Sequence, residues 1–442
     1  MRPIRLLVFG VLGGLLAAAA GAQLPRPRGG QTIANLTLAL DQDEAVVAVD
    51  AAGNFVVAWR ADGQDGDGSA IVARRFSGRT GLPLSGEILV NVNPAGEQTN
   101  PALAVAQDGR FVVAWEGPDF QGSLGVFGSF READGTPIVA EFPVNTTLAG
   151  NQERPAVTFR ANGDFLVLWQ SEVTVPDGFA VSKEILGRIF LVTGGPMNEF
   201  QVNRITLGDQ EQPAAAADPV TGGWFTVWQG PELSSAIPSI LYLRLLPDGP
   251  PPPGVQELIL NLLTPGIRRH SAVAANAVGE AVAVWEGPDG SGAGIFRREI
   301  TAGLPIGVEE LVNLTTAGEQ REPSVALDDQ GAFVTVWIHE PVLESQEGSP
   351  IVVQGRKKTS SAPGEVPAPD GEFQVSTSGD RPAEPWVDIE PRGNFVVAWQ
   401  AEGVDDPQDP LGRAALFQRF SDAIFADDFE TADTSRWSLA SP

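Results

Sequence analysis

Two histidines, His270 and His339, and no cysteine leave this chain a narrow chemical repertoire. Without thiols there are no disulfides, thiolate metal sites, cysteine nucleophile or lipidated signal cysteine. Two imidazoles do not make a multi-histidine metal centre. His339 has Glu340 beside it, and an imidazole oriented by an acid is the minimum a general base needs. A plain surface histidine is the competing reading. Arg268, Arg269 and His270 form a cationic run suited to an anionic group, although drift of a repeat accounts for it equally. Two long acidic loops hold Glu344 and Glu347, and Asp405, Asp406 and Asp409. Clustered carboxylates of this kind bind Ca²⁺ or supply an acid/base pair, and ordinary solvated loops share the composition. Asp65-Gly66-Asp67-Gly68 and Asp289-Gly290-Ser291-Gly292 are calcium-loop fragments without the distal Glu, so turn chemistry explains them better. No cofactor is required by the sequence, and Ca²⁺ is the one candidate ion. G-x-S-x-G, P-loop, H-E-x-x-H and Asp-box patterns are missing, so a non-enzymatic role is expected over a catalytic one.

The elements that would position these residues come from a repeat. Trp59, Trp115, Trp169, Trp228, Trp285, Trp337 and Trp399 each close an apolar pentad such as FVVAW, at intervals of 52 to 62 residues. About fourteen residues before each Trp a second apolar run begins, led by Ala45, Pro101, Pro155, Pro213, Ser271, Pro323 and Pro385. Gln42, Gln98, Gln152, Gln210 and Gln320 stand three residues before that leader, where the fifth and seventh units have Arg268 and Pro382. Seven residues earlier come Asn35, Asn91, Asn145, Asn203, Asn261 and Asn313, where the last unit has a less regular Ser376, six residues before Pro382. Each unit reads as four short strands joined by turns such as Asp108-Gly109. In FVVAW neither side of the strand is polar, which suits a sheet covered on both faces.

The expected fold is therefore all-β: a seven-bladed β-propeller of four-stranded antiparallel blades. The last unit lacks a fourth strand and the N-terminus offers one without partners, Gln31 to Asn35, so this segment should complete the last blade and close the ring. The tryptophans should pack between blades with their N–H groups satisfied locally, and the Gln and Asn residues should hold the blade-to-blade crossings. Crossings and post-Trp loops share one face, the expected functional one.

The domain reading is 1–22 signal peptide, 23–30 linker, 31–421 propeller and 422–442 tail. Arg2 and Arg5 precede an apolar run that ends in Ala20-Gly21-Ala22, a secretory pattern. This predicts a secreted or cell-surface protein, with the periplasm as the alternative, and no later membrane span. A formal charge of −27 disfavours nucleic acid and anionic membranes.

The unit N-x(6)-Q-x-x-P…G-x-F-V-V-x-W…E-F-x-V-N resembles the repeat of large secreted bacterial propeller proteins loosely termed hemolysin-like or adhesin-like. The tail, AIFADDFETADTSRWSLASP, resembles an ending found on various secreted bacterial proteins and implies a sorting or attachment element. Together these readings predict a monomeric binding scaffold for an extracellular protein or glycan. The alternatives are a hydrolase or lyase acting on an extracellular polymer, and a calcium-stabilised surface component.

Overall fold

The computed structural model describes residues 24–421 except 38–39, 175–180, 233–234, 252–253, 263–265, 342–350, 359–370, 378–380 and 403–411. Seven antiparallel sheets follow one another along the chain, six of them with strands A to D in sequence order from the inner edge outward and the seventh with its outer strand supplied by the N-terminus. Blade 2 is typical, with Thr99–Val105, Phe111–Pro118, Leu124–Arg131 and Pro137–Pro143. The A strands of successive blades contact one another, and those of blades 7 and 1 also meet, so they form an inner ring around a central channel.

Closure follows the expected phase. Blade 7 supplies Ala383–Ile389, Phe395–Glu402 and Arg413–Ser421, and Thr32–Ile33 pairs with the last of these in the register Thr32↔Phe417, Ile33↔Leu416. The segment expected to be a linker does more than connect. Arg26–Pro27 pairs with the same strand, Arg26↔Ser421 and Pro27↔Phe420, which extends the closing ribbon toward the N-terminus.

Each repeat tryptophan packs with residues of the preceding blade. Trp59 joins Val396 and Ala398 of blade 7, Trp115 joins Ala58 and Ile71 of blade 1, and Trp337 joins Ile295 and Val312 of blade 5. All seven are at most 1% exposed, and removing such a side chain costs about 3–5 kcal/mol. The FVVAW strands are apolar on both sides because each side meets a neighbouring sheet. Among the described residues no helix is long and apolar enough to cross a membrane.

The polar repeat positions tie the crossings down. Asn91 Oδ1 accepts the Ile71 N–H at 2.9 Å while its Nδ2 donates to Asn93 O at 3.0 Å, and Asn145 repeats the pattern on Val126 and Thr147. Gln98 Oε1 accepts Trp115 Nε1–H at 3.1 Å and its Nε2 donates to Ala95 O. A third position, four residues before the Asn, completes the clasp. Glu87 accepts the N–H groups of Leu36 and Thr37, Glu199 those of Thr146 and Thr147, and Glu372 those of Leu314 and Thr315. In each case the D strand of a blade grips the loop that enters the same blade.

Candidate functional site

At the start of every inner strand one residue adopts a left-handed backbone: Glu44, Asn100, Arg154, Gln212, His270, Glu322 and Glu384, with φ between 51° and 55°. Each lies in a break of the A–B register, for example between Thr99↔Glu116 and Ala102↔Ala114. These are β-bulges, which bend a strand and re-aim a side chain. A non-glycine residue in this region costs roughly 1–2 kcal/mol, so seven recurrences require support from the surroundings.

The support is a set of hydrogen bonds that runs from blade to blade. The Asn100 N–H donates to Glu44 Oε2 at 2.5 Å, that of His270 to Gln212 Oε1 at 3.0 Å, and that of Glu384 to Glu322 Oε2 at 3.0 Å. In other blades the acceptor is the residue after the Trp. Gln400 Oε1 takes the Glu44 N–H, Glu116 Oε1 that of Arg154, and Gln170 Oε1 that of Gln212. The conformation repeats while the residue type changes, so the backbone serves the fold and the side chains are free to differ. They form a polar ring at the channel mouth, on the face of the crossings and post-Trp loops.

The ring is electrically lopsided. Glu322, Glu384 and Glu44 come from the adjacent blades 6, 7 and 1, and Arg154 and His270 stand on the other side. Arg154 Nη1 donates to Asn100 Oδ1 at 3.1 Å. His270 Nδ1 lies 3.0 Å from Glu286 Oε2, and Arg269 also pairs with Glu286 at 2.5 Å. Burial pulls Glu286 upward, but these two partners outweigh it and hold the carboxyl below the usual range. Burial, offset by the Asn100 N–H and reinforced by Glu384 and Asp43, pushes Glu44 up to about 7. Glu384 is also pushed up to about 7, first by its removal from bulk water within the ring and then by Glu322 and Asp43. Its side chain is exposed to channel solvent, so the consequence for stability is smaller than that shift implies.

Blade 7 departs from the repeat below the ring. Where the other inner strands carry Val46, Ala102, Ala156, Ala214, Ala272 and Ser324, it carries Trp386, 41% exposed. The inner strands of blades 6 and 1 flank this strand and Phe395–Glu402 backs it, so the channel is the solvent that reaches the indole. Two residues on, Asp388 replaces a position that is Ala in five blades and Thr158 in one. Its Oδ2 accepts the Val49 N–H of blade 1 at 2.8 Å, and burial pushes it up to about 6.

The sequence-predicted candidates fare differently. His339 lies inside strand Phe333–Glu340, only 8% exposed, with Gln320 Nε2 donating to its Nδ1 at 3.1 Å, and burial lowers its pKa. Glu340, next along the strand, turns to Arg321 at 3.2 Å, so the expected His–Glu dyad is not assembled. Arg268 is fully buried, its guanidinium 5.7 Å from the Phe296 ring and donating to Gly266 O. Arg269 and His270 both pair with Glu286, so the run expected to form a small cationic spot has part of its charge met inside the fold. Glu344, Glu347, Asp405, Asp406 and Asp409 lie outside the described residues. Among the described residues no group of three or more His, Asp or Glu is placed to hold a metal ion. His270 alone of the candidates belongs to the ring. The other six ring residues were not anticipated, although each directly precedes the run leader and every one is polar.

No protein-family model matches the chain, and no curated protein matches it. Solved structures do. A protein of unknown function from Dyadobacter fermentans DSM 18053 is 14% identical over 90% of this chain and 99% of its own, with a TM-score of 0.50. An ulvan lyase of polysaccharide lyase family PL25 is 8% identical, covers 87% of this chain and 95% of its own, and has a TM-score of 0.54. At these identities the likeness is one of fold: the chain is a seven-bladed propeller with a polar ring at one mouth.

Proposed function

We propose that the protein is an extracellular binding scaffold whose propeller takes a protein or glycan ligand at the ring-bearing mouth. The observation that carries this is the ring itself: a bulge of constant geometry presents a different polar side chain from most blades, and one blade adds an exposed tryptophan beneath it. Convergent polar groups beside an aromatic surface are the usual make-up of a ligand site. An extracellular setting rests on the signal-like Met1 to Ala22, and capture of a single external ligand fits a closed ring with one distinctive mouth. The test is binding of a panel of purified extracellular polysaccharides and peptides to the wild type and to a variant with Glu322→Gln, Glu384→Gln and Trp386→Ala. Loss of any retained ligand in the variant supports the reading, and retention of every ligand by both proteins refutes it.

A second reading, catalysis on an extracellular polymer, draws support from two neighbouring carboxylates, Glu44 and Glu384, both pushed to about 7, where a general acid or base works best. It is tested by product release from polysaccharides. Turnover by the wild type that survives Glu44→Gln and Glu384→Gln would remove this assignment.

A further inference from the structure

Among the described residues, the side chains of Glu384 and Trp386 stand apart from the other polar features of the mouth in taking no part in the hydrogen bonds that hold the ring. Glu44, Gln212 and Glu322 spend a side-chain oxygen on the next blade's bulge N–H. Asn100 receives Arg154, and His270 faces Glu286. Among the described residues none donates a hydrogen bond to the Glu384 carboxylate, and Trp386 leaves two-fifths of its surface to the channel where its six counterparts are small residues or valine. Both sit on one strand, Glu384 at its bulge and Trp386 two residues on, so one short stretch of the mouth carries both the carboxylate and the exposed indole.

Resting on the reading of the mouth as a ligand site, we propose that Glu384 and Trp386 form a receptor for a primary ammonium on a flexible alkyl chain, presented by a lysine of an extracellular polypeptide. An indole face attracts cations through its quadrupole, and the carboxylate supplies the charged acceptor for the N–H donors. The groups facing Glu384 decide the sign of the ligand. Glu322, Asp43 and Glu44 repel a second anion, while Arg154 across the ring and Arg413 only partly offset them. Asp43 is already committed to Arg60 at 3.1 Å and Arg413 at 3.0 Å. A cation therefore relieves a like-charge crowd that the fold leaves unbalanced. The indole sets its shape: the face of Trp386 offers apolar surface to the methylenes of an alkyl chain while the carboxylate takes the terminal ammonium.

Calorimetry on the full chain tests this with 1,5-diaminopentane, a blocked Gly-Lys-Gly peptide, the same peptide with norleucine, 1,5-pentanediol and glucosamine. The amine and the lysine peptide should bind one to one. The diol and the norleucine peptide should not. Glu384→Gln and Trp386→Ala should each weaken binding by about tenfold or more, and Trp386→Phe should keep most of it. Glu132→Gln, an exposed acid on the opposite face, should change nothing, which separates the site from general attraction to an acidic protein. Thermal melting confirms that each variant is folded. Equal binding of the amine by wild type, Glu384→Gln and Trp386→Ala overturns the proposal. Preference for glucosamine over the lysine peptide, lost in Trp386→Ala, also overturns it but leaves the mouth as a glycan site. If no probe of the wider panel depends on the mouth, the functional reading falls as well.

Discussion

Asn35 Oδ1 accepts the Ala415 N–H at 3.2 Å, although 380 residues separate the two in the chain. The bond is the one that Asn91 makes to Ile71 and Asn145 makes to Val126 within single blades. The N-terminal segment thus occupies the D-strand position of blade 7 residue by residue. Gln31, four residues before Asn35, receives the Thr377 N–H at 3.2 Å and stands where the other blades have the clasping Glu.

Cutting that link should weaken the whole ring, since the inner strands contact one another round a closed circle. Asn35→Ala removes a buried acceptor and leaves the Ala415 N–H unpaired, at a cost of about 1–3 kcal/mol. Removing residues 24–35 strips the closing ribbon and should lower the melting temperature further. Calorimetric melting checks both; a full-length-like transition in the truncated chain would contradict closure by this strand.

The Glu clasp makes a prediction with a definite pH sign. Burial pulls Glu87 upward, but the N–H groups of Leu36 and Thr37, the Thr37 hydroxyl and Gln64 outweigh it and hold its pKa below the usual carboxylate value. A lowered folded-state pKa adds stability at higher pH, which is lost as pH falls through the folded value. Glu87→Ala should therefore cost about 1–3 kcal/mol near neutrality. The deficit should shrink below about pH 4, as urea midpoints across that range would show.

The seven tryptophans are alike in burial and unlike in pairing. Trp59, Trp115, Trp169 and Trp228 donate Nε1–H to Gln42, Gln98, Gln152 and Gln210. Trp285, Trp337 and Trp399 have no hydrogen-bond partner for Nε1 among the described groups. Arg268 and Pro382 replace the Gln in two of these blades, and in the sixth Gln320 Oε1 accepts from Asn313 Nδ2 while its Nε2 donates to His339 Nδ1. Trp115→Phe strands the Gln98 oxygen and Trp337→Phe strands nothing. The first should cost about 1 kcal/mol more than the second in matched denaturation curves.

These pairings show what a repeat discloses. Trp, Gln and Asn recur because every blade poses the same packing and hydrogen-bonding demand, and the phase of the chain ends exposes the closing strand. The E-F-x-V-N element was visible too, but its Glu works on a loop some fifty residues away, a contact that spacing does not announce. The ring stayed hidden for the opposite reason. Its shared property is a backbone angle, and its residues, Glu, Asn, Arg, Gln and His, have only polarity in common. His339 misled because its neighbour Glu340 is adjacent in sequence and, on a strand, points to the opposite side. Arg268 misled because a buried guanidinium stands where other blades bury Gln.

The acids of blades 7 and 1 predict a stability slope opposite to that of Glu87. Glu44 and Glu384 are both pushed up to about 7, and Asp388 to about 6, by burial first, with mutual repulsion adding to it at the two glutamates. A carboxyl whose folded-state pKa exceeds its unfolded value favours the fold while protonated. That contribution is full below the unfolded value near 4.5 and is lost as pH rises through about 7. The protein should be more stable near pH 5 than near pH 8, by less than the roughly 1.4 kcal/mol per unit of an unscreened shift, because channel water reaches Glu384. Gln in place of both Glu44 and Glu384 keeps an oxygen for the Asn100 N–H and removes two of the three charges. The double variant should gain stability near pH 8, change little near pH 5, and flatten the profile between them. Urea midpoints at those two pH values decide the matter: a wild type that grows more stable from pH 5 to pH 8, or a double variant with the same slope as wild type, would show that these carboxylates are not crowded at the mouth.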